Sequence, residues 1–130
     1  VSDRALLRAF HFVDETERVT EAVEAIRRDD IPAFFRAAVA SGESSWMLLQ
    51  NLYVASSSNQ EMPLALELSR RMLEGRGAWR IHGGGFAGTI QAFVKNAAVA
   101  EYKKNIESIF GEGACHVLKV RPYGGIKVVE

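Results

Sequence analysis

Leu6, Phe10, Val13, Val19, Val23 and Ile26 recur at spacings of three, four and six, an apolar stripe on one long helix. Arg8, Glu15, Glu17, Arg18, Glu21, Glu24 and Arg28 fill much of the rest, a charged face expected to sit in water. Ser2 or Asp3 can cap the amino end, and Glu24 with Arg28 makes a favourable pair one turn apart. The pattern ends near "RDDIP", where Pro32 suits the first turn of a second helix, "IPAFFRAAVASG", closed by Gly42.

"ESSWMLLQNLY" predicts a short third helical piece, and "VASSSNQEMP" a polar connection. Pro63 then opens a helix over "LALELSRRMLE" that stops at Gly75. Beyond it the texture changes. "AWRIH" and "TIQAFV" are rich in β-branched and aromatic residues and predict strands either side of a glycine cluster. Val99, Tyr102, Ile106 and Ile109 restore helical spacing up to Gly111, and "CHVLKVRP" and "GIKVVE" predict a closing hairpin around "YGG". Helices followed by β-β-α-β-β give an α+β fold, with a mostly antiparallel four-stranded sheet covered by helices. The 130 residues suffice for one compact domain, 1–130, with no internal boundary.

Composition narrows the function. Sixteen basic residues balance sixteen acidic ones, so no net charge points to nucleic acid or an anionic membrane. No apolar run approaches the roughly 20 residues of a membrane span. A single cysteine, Cys115, leaves no internal disulfide and fits a reducing cytoplasm. The chain starts at Val1 and goes straight into a charged helical pattern, from which we expect a piece of a longer protein.

The glycine cluster carries the candidate chemistry. "RIHGGGFAGT" holds four glycines within Gly83–Gly88. Gly83, Gly85 and Gly88 satisfy G-x-G-x-x-G, but a dinucleotide site needs a helix next, and "TIQAFV" reads as a strand. Neither a Walker A lysine–serine pair nor the "HRD" and "DFG" of protein kinases is present. Two readings stay open: a strained connection that needs positive φ, or a concave loop whose bare amides face an anion such as phosphate.

"RAFHFVDETERVTEAVEAIRRDDIPAFFRAAVASGESS", then Tyr53 and Ser56, then "RIHGGGFAGT", resembles the carboxy-terminal domain of galactokinases, within the GHMP family of small-molecule kinases. The likeness spans essentially the whole chain, and "RAFHFVDETERV" and "GGGFAG" are its most specific parts. It implies a ferredoxin-like carboxy-terminal domain, one wall of a cleft in which ATP and a sugar meet. The parent enzyme would transfer the γ-phosphate of ATP, with Mg2+, to a hydroxyl of galactose or a relative. The phosphate loop, the magnesium ligands and the catalytic carboxylate would belong to an amino-terminal domain absent from this chain. Gly83, Gly84, Gly85 and Gly88 would line the cleft beside Ala87, with Phe86 anchoring the loop by packing. Glycine suits that role, because side chains would occupy the space the phosphates need.

Galactokinases usually read R-M-T-G-G-G-F-G-G-C, whereas here Ile81, His82, Ala87 and Thr89 differ, Trp79 stands where a small residue is common, and Gly42 replaces a histidine. His82 and Trp79 flank the loop, so these departures bear on which sugar is accepted. His82 and Arg80 are candidate substrate contacts, each with a plainer reading: His82 bonding a nearby carbonyl, Arg80 in a structural ion pair. Trp79 reads first as core, and Ser41, Ser44 and Ser45 as helix-junction caps.

Asp3, Asp14, Asp29 and Asp30 are the only aspartates, all in or just after the first helix. The resemblance therefore leads us to expect no catalytic residue on this chain, no ATP or magnesium held by it alone, and no turnover by the isolated fragment. His11 and His116 lack a second ligand at metal-binding spacing, so no metal site is expected. Cys115 and His116, adjacent on an expected strand, should face opposite ways. The expected partners are the amino-terminal domain and a small sugar, with dimerisation of the fragment through the face that domain would leave exposed. The alternatives are a GHMP kinase for another sugar or small alcohol, an inactive kinase-like sugar sensor, or a free-standing binding domain.

Overall fold

The computed structural model describes residues 1–86 and 88–125. The elements run α1 (Asp3–Arg27), α2 (Ile31–Ser44), a π-helical turn (Ser45–Leu49), α3 (Glu61–Leu73), β1 (Gly77–His82), β2 (Thr89–Val94), a 3-10 turn (Asn96–Ala98) and α4 (Val99–Phe110). Ser2 caps α1 through its side chain, and Asp30 caps α2 by accepting from the Ala33 amide at 2.9 Å. α3 starts at Glu61, ahead of the expected Pro63, because the first turn needs no amide hydrogen from a proline.

β1 and β2 pair antiparallel, from Gly77 opposite Val94 to His82 opposite Thr89. Alternation sends Trp79, Ile81, Ile90 and Ala92 to one face, over α3 and α4. One core cluster there joins Leu52, Met62, Leu66 and Ile81, a second joins Leu73, Tyr102 and Ile106, and Trp79 packs against both. Trp79 is thus a core residue bridging the clusters. The other face carries α2, with the Phe34 and Phe93 rings edge to face at 5.0 Å. α1 lies outside α2, so the layers run α1, α2, sheet, then α3 and α4.

Four expectations are corrected by this packing. Gly42 does not close α2, which continues to Ser44. A Cβ at 42 would lie 3.1 Å from both Arg80 Cα and Arg80 Cβ, so glycine here lets a helix touch a strand backbone. The charged face of α1 is not wholly solvated: Leu7, His11, Glu15, Arg18, Ala22 and Ala25 form its inward stripe. Instead the apolar stripe Leu6, Phe10, Val13, Val19, Val23 and Ile26 lies outward, each residue 41–59% exposed. The buried set of α2 is Ala37, Ala38, Ser41, Gly42 and Ser44, and its two serines offer α1 polar partners. Ser41 and Ser44 accordingly bind side chains of α1 rather than capping backbone.

The fourth correction concerns the sheet, which has two strands among the described residues. "CHVLKVRP" forms no ladder there, and Val117, Leu118 and Val120 are exposed. A strand exists only when its amides and carbonyls are paired, and the expected mate, "GIKVVE", lies outside the described residues from 126 onward. No helix among the described residues is long and apolar enough to cross a membrane.

Candidate functional site

The glycine loop joins β1 to β2 beyond the His82–Thr89 pair. Gly83 (φ +70), Gly85 (φ +81) and Phe86 (φ 61) all take the left-handed conformation, which accounts for glycine at 83 and 85. Gly84 does not, and a Cβ there would meet nothing within 4 Å among the described residues. The fold therefore requires Gly83 and Gly85 and leaves Gly84 without a backbone reason. Gly83, Gly84 and Gly88 are exposed, and among the described residues no carbonyl accepts from the amides of Gly83, Gly84 or Gly85. Unpaired amides in a tight turn are the kind of donor that an anion can use. Ala87 lies outside the described residues.

Asn51, which the sequence reading did not single out, holds the loop. The π turn ends at Gln50 in the left-handed conformation (φ 56), and this reversal delivers Asn51 beneath the glycines. Asn51 is 1% exposed. Its Nδ2 donates to the Gly84 carbonyl at 3.2 Å, and its own carbonyl accepts from the Phe86 amide at 2.6 Å. Phe86 is 43% exposed, and the bond that ties it to Asn51 is made by its backbone amide. Asn51 and Gly84 are 33 positions apart, and no spacing rule reaches that far.

A second network lies one residue pair back along β1. Glu15 accepts from both Arg18 and the Ser41 hydroxyl, and Arg80 Nη2 stands 3.8 Å from its Oε1. Arg80 also donates from Nε to the Ile81 carbonyl at 3.1 Å. One carboxylate thus ties α1, α2 and β1 together just before the loop. His11 Nδ1 pairs with Ser44 Oγ at 2.9 Å alongside it. His82 is exposed at the end of β1, on the same face of the strand as Arg80.

Other candidates stand apart from the loop. Cys115 packs against the Tyr102–Ile106 cluster, and burial together with Glu107 pushes its thiol up, away from the reactive thiolate. Among the described residues no three His, Cys, Asp or Glu side chains gather as metal ligands. An apolar groove of about 460 Å3 lined by Phe35, Val39, Ala40 and Trp79 sits at the Gly77 end of β1, opposite the loop.

The fold is α+β and its most distinctive feature is this glycine hairpin. Most of the chain is similar to one part of several galactokinases. The chain is 31% identical over 106 residues to the galactokinase of Glaesserella parasuis serovar 5 (strain SH0165), 82% of this chain and 26% of that protein. It is 32% identical over 108 residues to the galactokinase of Limosilactobacillus reuteri (strain DSM 20016), 83% of this chain and 26% of that one. The galactokinase of Lactobacillus helveticus gives 32% over 103 residues, 79% and 25%. The chain thus spans about a quarter of the length of the relatives it matches. No protein-family model matches it.

Proposed function

We propose that the chain is the carboxy-terminal part of an ATP-dependent sugar kinase of galactokinase type, converting ATP and galactose into ADP and galactose 1-phosphate. The observation that carries the reading is a surplus glycine: Gly84 is held by no positive φ, and a Cβ there would meet nothing within 4 Å among the described residues. A phosphate group approaching bare amides needs that open space. Positioning and charge stabilisation are the main demands of phosphoryl transfer, and fixed amides meet both without reorganisation. In this reading Gly83–Gly88 form one wall of the cleft, with Ala87 among them, and His82 meets the acceptor sugar. Arg80 lies within reach of the same cleft while braced by Glu15.

Among the described residues no three acidic or imidazole side chains gather to hold the magnesium of such a reaction. Asp30 caps a helix, Glu15 is held by Arg18 and Ser41, and Asp3 and Asp14 project from α1 into solvent. The metal ligands and the base then fall to an amino-terminal domain, and the 130-residue chain alone gives no turnover. The outward apolar stripe of α1 supports a covering partner, since so much exposed apolar surface on one helix marks a contact. We assign it to the rest of the polypeptide, given relatives about four times longer. In the isolated chain the same stripe would drive dimerisation, which concentration-independent sedimentation as a monomer would exclude.

The test is sugar-dependent ADP release from MgATP by the full-length protein, across galactose, N-acetylgalactosamine, glucose, arabinose and mevalonate. A rate with galactose alone is the expected result. A rate with another acceptor would move the substrate and implicate His82 and its neighbours in that choice. No rate with any acceptor, in a folded protein, would overturn the kinase reading.

A further inference from the structure

Asn51 does more than bury a polar group. Its Nδ2 holds the Gly84 carbonyl inward. In a trans peptide the carbonyl of one residue and the amide of the next point opposite ways, so the Gly85 N–H is turned outward, away from Asn51. The Phe86 amide, by contrast, is drawn inward to the Asn51 carbonyl. Two bonds to a single residue thus set the two peptide planes flanking Gly85.

We propose that Asn51 is the positioning residue of this loop, and that the donor it orients toward the transferring phosphate is the Gly85 amide. The inference rests on the kinase reading of the loop. A second observation argues that shape, not stability, explains the asparagine. Its Oδ1 is buried with no partner among the described residues, an arrangement that a leucine of similar volume would avoid. The side chain therefore does its work through the single bond from Nδ2 to Gly84.

Asn51→Leu and Asn51→Asp in the full-length protein test this. Asn51→Leu removes the donor together with the unpartnered acceptor, so the melting temperature should stay within a few degrees. With the Gly84–Gly85 peptide released, kcat should fall about tenfold to a hundredfold, the scale of a displaced transition-state contact, with a smaller change in KM for ATP. Asn51→Asp, which keeps the shape but loses the donor, should lose at least as much. An unchanged kcat, or a loss that merely follows the melting temperature in both variants, would overturn the role.

A second readout is independent of turnover. In the wild-type protein, titration with inorganic phosphate should shift the Gly85 amide resonance, and Asn51→Leu should abolish that shift. Equal shifts in both proteins, or none in the wild type, would sink the assignment. Absence of kinase activity in the wild type would count against the proposed reaction, while this titration would still decide the donor.

Discussion

Asn51 and Gly85 touch so closely that no side chain fits between them. A Cβ at 85 would lie 2.8 Å from Asn51 Nδ2 and 2.9 Å from its Cγ, and closer still to its carbonyl oxygen, at a φ of +81°. A helix-terminating residue and a hairpin glycine thereby form one unit. Gly85→Ala combines left-handed strain with overpacking and should cost about 2–4 kcal/mol in chemical denaturation. Gly83→Ala has the same sign of φ but open space, and should cost only about 1–2 kcal/mol. Equal losses would mean that the Asn51 contact is not formed.

Gly42 sets a helix preference against a packing limit. In an exposed helix, alanine for glycine gains about 1 kcal/mol. Here the new methyl would press on Arg80 Cα and Cβ at 3.1 Å and on the Trp79 carbonyl at 3.3 Å. Gly42→Ala should therefore be close to neutral, and Gly42→Val should destabilise by about 1–3 kcal/mol. A clear gain from alanine would show that α2 stands off β1.

The corrections share one cause. Helix periods, strand runs and the glycine loop are local signals, so α1, α2, β1, β2 and α4 were legible in the sequence. The direction in which a helix faces is not local. Periodicity identified the stripe from Leu6 to Ile26 but could not say that the opposite face, with His11 and Glu15, would meet the serines of α2. The loop glycines could be found as a motif. Their division into Gly83 and Gly85, held by φ, and Gly84, free of it, needed backbone angles. Asn51 needed a contact across 33 positions.

The Glu15 network should behave as a partly buried one. Glu15 is 24% exposed, and its removal strands Arg18, Ser41 and Arg80. Glu15→Ala should cost about 1–3 kcal/mol, and a double-mutant cycle with Ser41→Ala should give a coupling of at least about 0.5 kcal/mol. Additive effects would show that the carboxylate and hydroxyl act independently.

Alkaline pH offers a check on the second core cluster. Burial raises the Tyr102 hydroxyl above its ordinary 10.0. A raised folded value means that this contribution to stability is complete below pH 10.0 and is lost as pH climbs through the folded value. Denaturation midpoints should fall above that pH in the wild type and fall less steeply in Tyr102→Phe. Identical slopes would mean that the ring is not buried as described.

The most direct measurement of the central claim compares wild type with Gly84→Ala in the full-length protein, recording melting temperature and galactose-dependent kcat/KM together. A Cβ at 84 meets nothing within 4 Å among the described residues, so stability should be nearly unchanged. If the open side of the loop receives phosphate, kcat/KM should fall at least about tenfold, the scale of one lost or misplaced contact. Unchanged turnover would contradict the account and leave the loop a structural hairpin.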